Sequence, residues 1–171
     1  MMCGITGTPG TGKSSAGDAL QWHGCTVVRV KDTTGPYIIG TDADRKTAII
    51  DEDRWASEFR IVDGFVEGLL AHYLPVDRIV VLRCDPHRLL KRLRARGYPE
   101  EKVLENAECE ALDLILIETT ERHPPAHILE IDTTDITAET VADRVIGFVS
   151  GTVPPSFGTI DWSDYLLEEK V

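Results

Sequence analysis

Near the N-terminus, Gly7-Thr8-Pro9-Gly10-Thr11-Gly12-Lys13-Ser14 fills the pattern G-x-x-x-x-G-K-[ST]. Each residue type in it has a task. Glycines at 7, 10 and 12 let the backbone wrap closely with positive φ, so that successive N–H groups point at an anion. A helix beginning where the loop ends adds the positive end of its dipole. Lys13 then brings charge to the β- and γ-phosphates of a nucleoside triphosphate, and the Ser14 hydroxyl is a ligand for Mg²⁺. Pro9 stiffens the loop. Residues 2–6 read as a short buried strand and residues 14–20 as a helix start, which is the context the loop requires. A glycine-rich turn with a surface lysine is the bland alternative and leaves that context without a reason.

Two further groups carry chemistry. Arg60-Ile61-Val62-Asp63 reads as a strand ending in an acid before Gly64, and Asp63 is the candidate second ligand for Mg²⁺. A turn or cap aspartate is the alternative. Arg88, Arg92 and Arg96 recur at i, i+4 and i+8 on one helix face. Arg92 and Arg96 are candidates for stabilising charge on a phosphoryl group in flight. Arg88 and the off-face Arg94 read as solvated, ion-paired arginines. Gly97-Tyr98-Pro99 follows at once and suits a hinge into a lid that excludes water. No N-K-x-D follows the later strands, which speaks against a guanine-specific GTPase.

Strands must position these groups. Residues 26–30, 60–63, 78–82 and 127–131 are β-rich, and they alternate with helical stretches at 65–73, 86–96, 100–122 and 137–149. Residues 31–53 carry few periodic apolar residues and read as a loop-rich insertion, with a short helix from 51 to 59. Such alternation implies an α/β fold, a parallel sheet covered on both faces with its ligand at the carboxyl edge of the strands. The tail from Gly151 ends in Ile160, Trp162, Tyr165 and Leu166, too apolar a set for a free tail, and is expected to dock on the body.

The chain has 171 residues, a length suited to one domain, and a net charge of −11 from 18 basic and 29 acidic residues. An acidic surface repels nucleic acid over most of its area and suits a basic protein partner, or serves solubility alone. No run approaches the ~18 apolar residues of a membrane span. The chain enters its first strand directly, without the pattern of a signal peptide. Cys3, Cys25, Cys84 and Cys109 lack C-x-x-C spacing and read as reduced thiols of a cytoplasmic protein.

Residues 80–85 running into Arg92-Leu93-Arg94-Ala95-Arg96-Gly97-Tyr98, with Asn106 and Cys109-Glu110 downstream, resemble the adenylate kinase isoenzyme six family of nuclear and archaeal kinase-like ATPases. Gly7-Thr8-Pro9-Gly10 and Asp51-Glu52-Asp53-Arg54 resemble it too, so the likeness runs in order along nearly the whole chain. The resemblance implies a P-loop NTPase fold, a five-stranded parallel sheet in the order 2-3-1-4-5. It implies one nucleoside monophosphate kinase-like domain over 1–171, with a monophosphate-binding segment at about 30–53, a lid at about 96–106 and a tail at about 151–171. It implies the reaction ATP + AMP ⇌ 2 ADP, a weaker ATPase, and a part in small ribosomal subunit maturation beside a basic ribosomal protein. By it Gly10, Gly12, Lys13, Ser14 and Ser15 hold the ATP phosphates and Arg96 is the lid arginine. Arg45 is the candidate ligand for the acceptor monophosphate, a solvated loop arginine being the alternative. Two features depart from the family. Its histidine two places after the strand-ending acid is replaced here by Phe65, and Lys31-Asp32-Thr33-Thr34-Gly35-Pro36 stands for a longer, more helical stretch.

Overall fold

A computed structural model of the protein describes residues 1–43 and 47–167. Five parallel strands form the main sheet: β1 (Met2–Thr6), β2 (Val27–Arg29), β5 (Gly64–Glu67), β6 (Arg78–Arg83) and β7 (Ile128–Asp132), in the order β2-β5-β1-β6-β7. Counted among themselves these strands run 2-3-1-4-5, the expected order. Strands β3 (Ile38–Asp42) and β4 (Thr47–Ile50) form a separate antiparallel pair.

The alternation of side chains along each strand divides the core. Cys3 and Ile5 of β1, with Val80 and Leu82 of β6, face α1 (Lys13–Trp22) and α6 (Ala138–Ser150), meeting Leu20, Val145 and Phe148. Met2, Ile79 and Val81 face the other side, packing with Trp55 of α2 (Glu52–Glu58) and Leu116 of α5 (Leu114–Arg122). Full burial of a side chain such as Leu20 or Ile79 contributes about 1.5–3 kcal/mol. The helix α3 (Pro86–Ala95) starts with Pro86 and an Asp85 cap whose carboxylate accepts from the Arg88 N–H. It then meets α4 (Glu100–Ala111) across a connection of four residues, 96–99.

Several sequence expectations are corrected. The third core strand is not at 60–63 but at Gly64–Glu67, and no helix runs from 65 to 73; a short 3-10 turn, Ala71–Tyr73, stands in that stretch. The stretch 31–53 is not mostly loop: it holds two 3-10 turns and the β3–β4 hairpin. Trp55 anchors its base, buried, with Nε1 donating to Thr33 Oγ1 at 2.9 Å. The long helix at 100–122 is two, broken at Asp113, whose φ of 56° is left-handed. Asp113 is held there by an ion pair with Arg83. The tail docks: Gly158 N–H donates to Glu130 Oε2 at 2.8 Å, and buried Tyr165 packs with Ala107 and Ala111 of α4 and with Trp162. Leu166 and Leu167 stay exposed.

Candidate active site

The phosphate loop joins the carboxyl end of β1 to α1. All three of its expected glycines have positive φ, Gly7 at 140°, Gly10 at 95° and Gly12 at 99°, so none of these positions accepts a side chain without strain. Gly12 caps α1 and Lys13 opens it. The Lys13 ammonium donates to the carbonyls of Gly7 at 2.7 Å and Thr8 at 3.0 Å. Burial lowers its pKa to about 8, with Arg96 adding to the shift while Glu67 and Glu110 oppose it. Ser14 and Ser15, in the first turn of α1, are exposed.

Two cavities flank this loop. One, of about 420 Å³, is bounded by Gly10, Gly12, Ser15, Arg92, Arg96 and Ile136 among others. The second, of about 480 Å³, is bounded by Lys13, Ser14, Lys31, Ile50, Glu67 and Leu69 among others, so the hairpin forms one wall. The predicted loop residues thus divide: Gly10, Gly12 and Ser15 line the first cavity, Lys13 and Ser14 the second. Both volumes lie within the ~300–1,000 Å³ range of small-molecule sites.

The arginines separate as well. Arg92 donates to the carbonyls of Thr133 at 2.8 Å and Thr134 at 3.1 Å, tying α3 to the exit of β7 and making it a wall of the first cavity. Arg96, the C-cap of α3, lines the same cavity and is exposed, and its guanidinium makes no hydrogen bond or ion pair among the described residues. Gly97 at φ 74° follows it and turns the chain into α4. Arg88 pairs with Asp135 at 2.6 Å and Arg94 with Glu100 at 2.5 Å, as solvated arginines do. Arg45 lies outside the described residues.

The structure does not place Asp63 at the phosphate loop. The pairing of Met2 with Gly64 puts Asp63 at the amino edge of the sheet, opposite the phosphate loop. There its carboxylate accepts from the Met1 ammonium at 2.7 Å, which holds the carboxyl below its usual range. It cannot reach a metal beside Ser14. The strand-ending acid is Glu67, which pairs in register with Ile5 next to the loop. It is buried, lines the second cavity and takes Arg29 Nη1 at 3.3 Å. The sequence holds the same signal twice, Val62-Asp63-Gly64 and Val66-Glu67-Gly68, and only strand pairing chooses between them. Counted from Glu67, the place two residues on is Leu69, 40% exposed, while Phe65 is a buried core residue of β5. The histidine nearest along the chain, His72, is buried between Thr6 Oγ1 at 3.1 Å and Glu118 Oε2 at 2.8 Å.

Sequence reasoning also missed a buried ionic cluster under the loop. Arg83, at the end of β6, pairs with Glu110 at 2.7 Å and also with Glu130 and Asp113. Glu110 Oε2 accepts from Thr8 Oγ1 at 2.5 Å. All four cysteines are free thiols, and burial pushes Cys3 up to about 12 and Cys84 to about 11, so neither is a ready nucleophile. Among the described residues no helix is long and apolar enough to cross a membrane.

The model of an AAA domain matches residues 3–113. A protein of Halobacterium salinarum called "Putative adenylate kinase" is 41% identical over 170 residues, covering 97% of this chain and 100% of its own. Proteins of the same name from Natronomonas pharaonis and Pyrococcus abyssi are 37% identical over 171 residues and 38% over 168, covering 97% and 96% of this chain and 100% and 92% of their own. Among solved structures, shikimate kinase from Acinetobacter baumannii superposes with a TM-score of 0.60 at 18% identity, over 88% of this chain and 93% of that one. A gluconokinase from Sinorhizobium meliloti gives 0.57 at 16%, over 89% and 93%; both share the fold. With the loop, the strand order and these full-length relatives together, the chain belongs to the AAA-domain family of phosphate-loop proteins, in its adenylate kinase-like group of phosphotransferases.

Proposed function

We propose that the protein is an adenylate kinase, converting ATP and AMP to two ADP with Mg²⁺. The observation that carries this reading is the pair of cavities on either side of the phosphate loop, one against Arg96 and the other against the hairpin. A phosphotransferase that only hydrolysed ATP needs one nucleotide cavity; transfer between two nucleotides needs two that meet at the moving phosphoryl group. In this reading ATP occupies the first cavity and AMP the second. Lys13 stands where they meet: two N–H groups of its ammonium rest on the Gly7 and Thr8 carbonyls, and the third is left for a phosphate oxygen.

The donor set suits Mg²⁺: the Ser14 hydroxyl and the Glu67 carboxylate are hard oxygen ligands on the same cavity wall. The cation, when bound, neutralises charge developing on the phosphate oxygens. Arg96 swings with the 96–99 connection to add a second positive charge in the transition state. Leu69 stands where a side chain able to orient water would have faced the acceptor cavity, so acceptor-independent ATP hydrolysis is weak.

The test is a panel of acceptors with ATP and Mg²⁺: AMP, the other nucleoside monophosphates, and small hydroxylated acids and sugars. ADP formed two for one with AMP supports the reading. Transfer to a small metabolite alone would make the protein a metabolite kinase of the same fold.

A second role, ATP-dependent assembly of the small ribosomal subunit in the cytoplasm, draws support from the net charge of −11, which suits a basic ribosomal protein partner. Salt-sensitive co-purification with such a protein supports it, and its absence at low salt counts against it.

A further inference from the structure

The buried cluster beneath the loop carries more charge than a structural ion pair needs. Arg83 is a single cation with three carboxylates around it, Glu110, Glu130 and Asp113. Glu110 is 2% exposed, and both its oxygens are in use. Oε1 takes Arg83 Nε at 2.7 Å and the Cys84 N–H at 3.0 Å, and Oε2 takes the Thr8 hydroxyl at 2.5 Å. Taking a carboxylate out of water is costly, and Arg83 already has two other partners. What Glu110 alone adds is the hold on the Cys84 N–H and on Thr8, and only the second reaches the loop.

Thr8 is the residue of the loop whose carbonyl gathers the others. It accepts from Lys13 Nζ at 3.0 Å, from the Thr11 N–H at 3.2 Å and from Thr11 Oγ1 at 2.9 Å. Fixing the Thr8 side chain from below therefore fixes the platform on which Lys13 rests. Glu110 also lies in the last turn of α4, the helix that begins directly after the lid connection.

We propose that Glu110 is a positioning residue for phosphoryl transfer, its carboxylate anchoring Thr8 so that the loop carbonyls aim the Lys13 ammonium at the transferring phosphate. The proposal rests on the phosphotransferase reading, and it places the effect in the transition state rather than in nucleotide affinity.

The experiment cuts the contact from the loop side, because removing Glu110 would also strip Arg83 of a counter-ion and endanger the fold. Thr8→Val keeps the shape and deletes the hydroxyl, Thr8→Ser restores it, and Glu110→Gln keeps a hydrogen-bonding group while removing the charge. Each is assayed for kcat and KM with ATP and AMP, and for hydrogen exchange of the 7–13 amides without nucleotide. Thr8→Val is expected to lower kcat about tenfold, the scale of one lost hydrogen bond to a charged group, with KM for ATP within about twofold. Thr8→Ser should recover most of the loss. Thr8→Val with Glu110→Gln should be no slower than the slower single variant, since one cuts and the other weakens the same link. Unchanged kcat in Thr8→Val, a loss confined to KM, or a serine variant that recovers nothing would overturn the proposal. If the wild-type protein transfers phosphate to no acceptor, the kinase reading falls by itself. The exchange measurement then decides the anchor: faster exchange in Thr8→Val, reversed in Thr8→Ser, supports it, and unaltered protection overturns it.

Discussion

The phosphate loop and the β3–β4 hairpin face each other across Lys13 but are held in opposite ways. The loop is supported from beneath by the buried carboxylate of Glu110, itself paired to Arg83, and its threonines at 8 and 11 are buried. The described residues of the hairpin strands bury no core of their own. Ile38, Ile39 and Ile49 are 50%, 68% and 46% exposed, and its described ties are at its ends: the Tyr37 carbonyl to the Asp51 N–H, the Trp55 anchor below, and Lys102 Nζ to Thr47 Oγ1 at 2.7 Å. The difference teaches that the loop side of the site is preorganised, while on the hairpin side few buried apolar contacts oppose local opening. Of the three exposed isoleucines, Ile49 lines the second cavity, beside half-buried Ile50.

The largest effect is expected at the point where the two regions meet. Lys13→Ala should lower kcat by roughly 3–4 kcal/mol, the scale of a lost transition-state donor, with the melting temperature little changed. Steady-state kinetics beside a thermal melt checks this, and a variant with wild-type kcat breaks the account. Arg96→Ala should lower kcat about tenfold or more while KM for ATP rises less, because its charge arrives with the lid. A raised KM with unchanged kcat would move Arg96 to ground-state binding.

The pH dependence follows from Lys13. Its pKa is lowered to about 8, chiefly by burial, whereas bound phosphates favour the charged form. Below that pH the ammonium is already protonated and affinity is flat with respect to this group. Above it, binding must take up a proton, so ADP affinity falls with rising pH, approaching about tenfold per unit. Calorimetry in buffers of different ionisation enthalpy should show proton uptake at pH 9 and not at pH 7, and Lys13→Ala should show it at neither. The smallest effect belongs to the hairpin. Lys102→Ala removes one exposed hydrogen bond, worth about 1 kcal/mol or less. It should change KM for the acceptor by about two- to threefold and leave KM for ATP alone.

The same contrast governs what the sequence made legible. The phosphate loop can be read residue by residue because its demands are local: glycines for left-handed backbone, a lysine and a hydroxyl at fixed offsets. Strand β6, a continuous apolar run, is legible for the same reason. The hairpin is not, since β3 and β4 bury no alternating face and leave no period to detect. Glu67 was missed because Asp63 carries the same local signature, and only the pairing of β5 with β1 tells which acid reaches the loop. The break between α4 and α5 carries no glycine or proline at Asp113; it is imposed by Arg83 from another strand. Where a feature depends on a partner distant in sequence, spacing alone does not reveal it.

The central claim is that two nucleotide cavities meet at Lys13. A bisubstrate probe, two adenosines joined by five phosphates, tests it most directly, because it gains affinity only where both cavities exist and a polyphosphate can pass between them. Competition experiments should show it displaced by ATP and by AMP alike, with affinity well above that of either nucleotide. Displacement by ATP alone, at an affinity no better than that of ATP, would contradict the account.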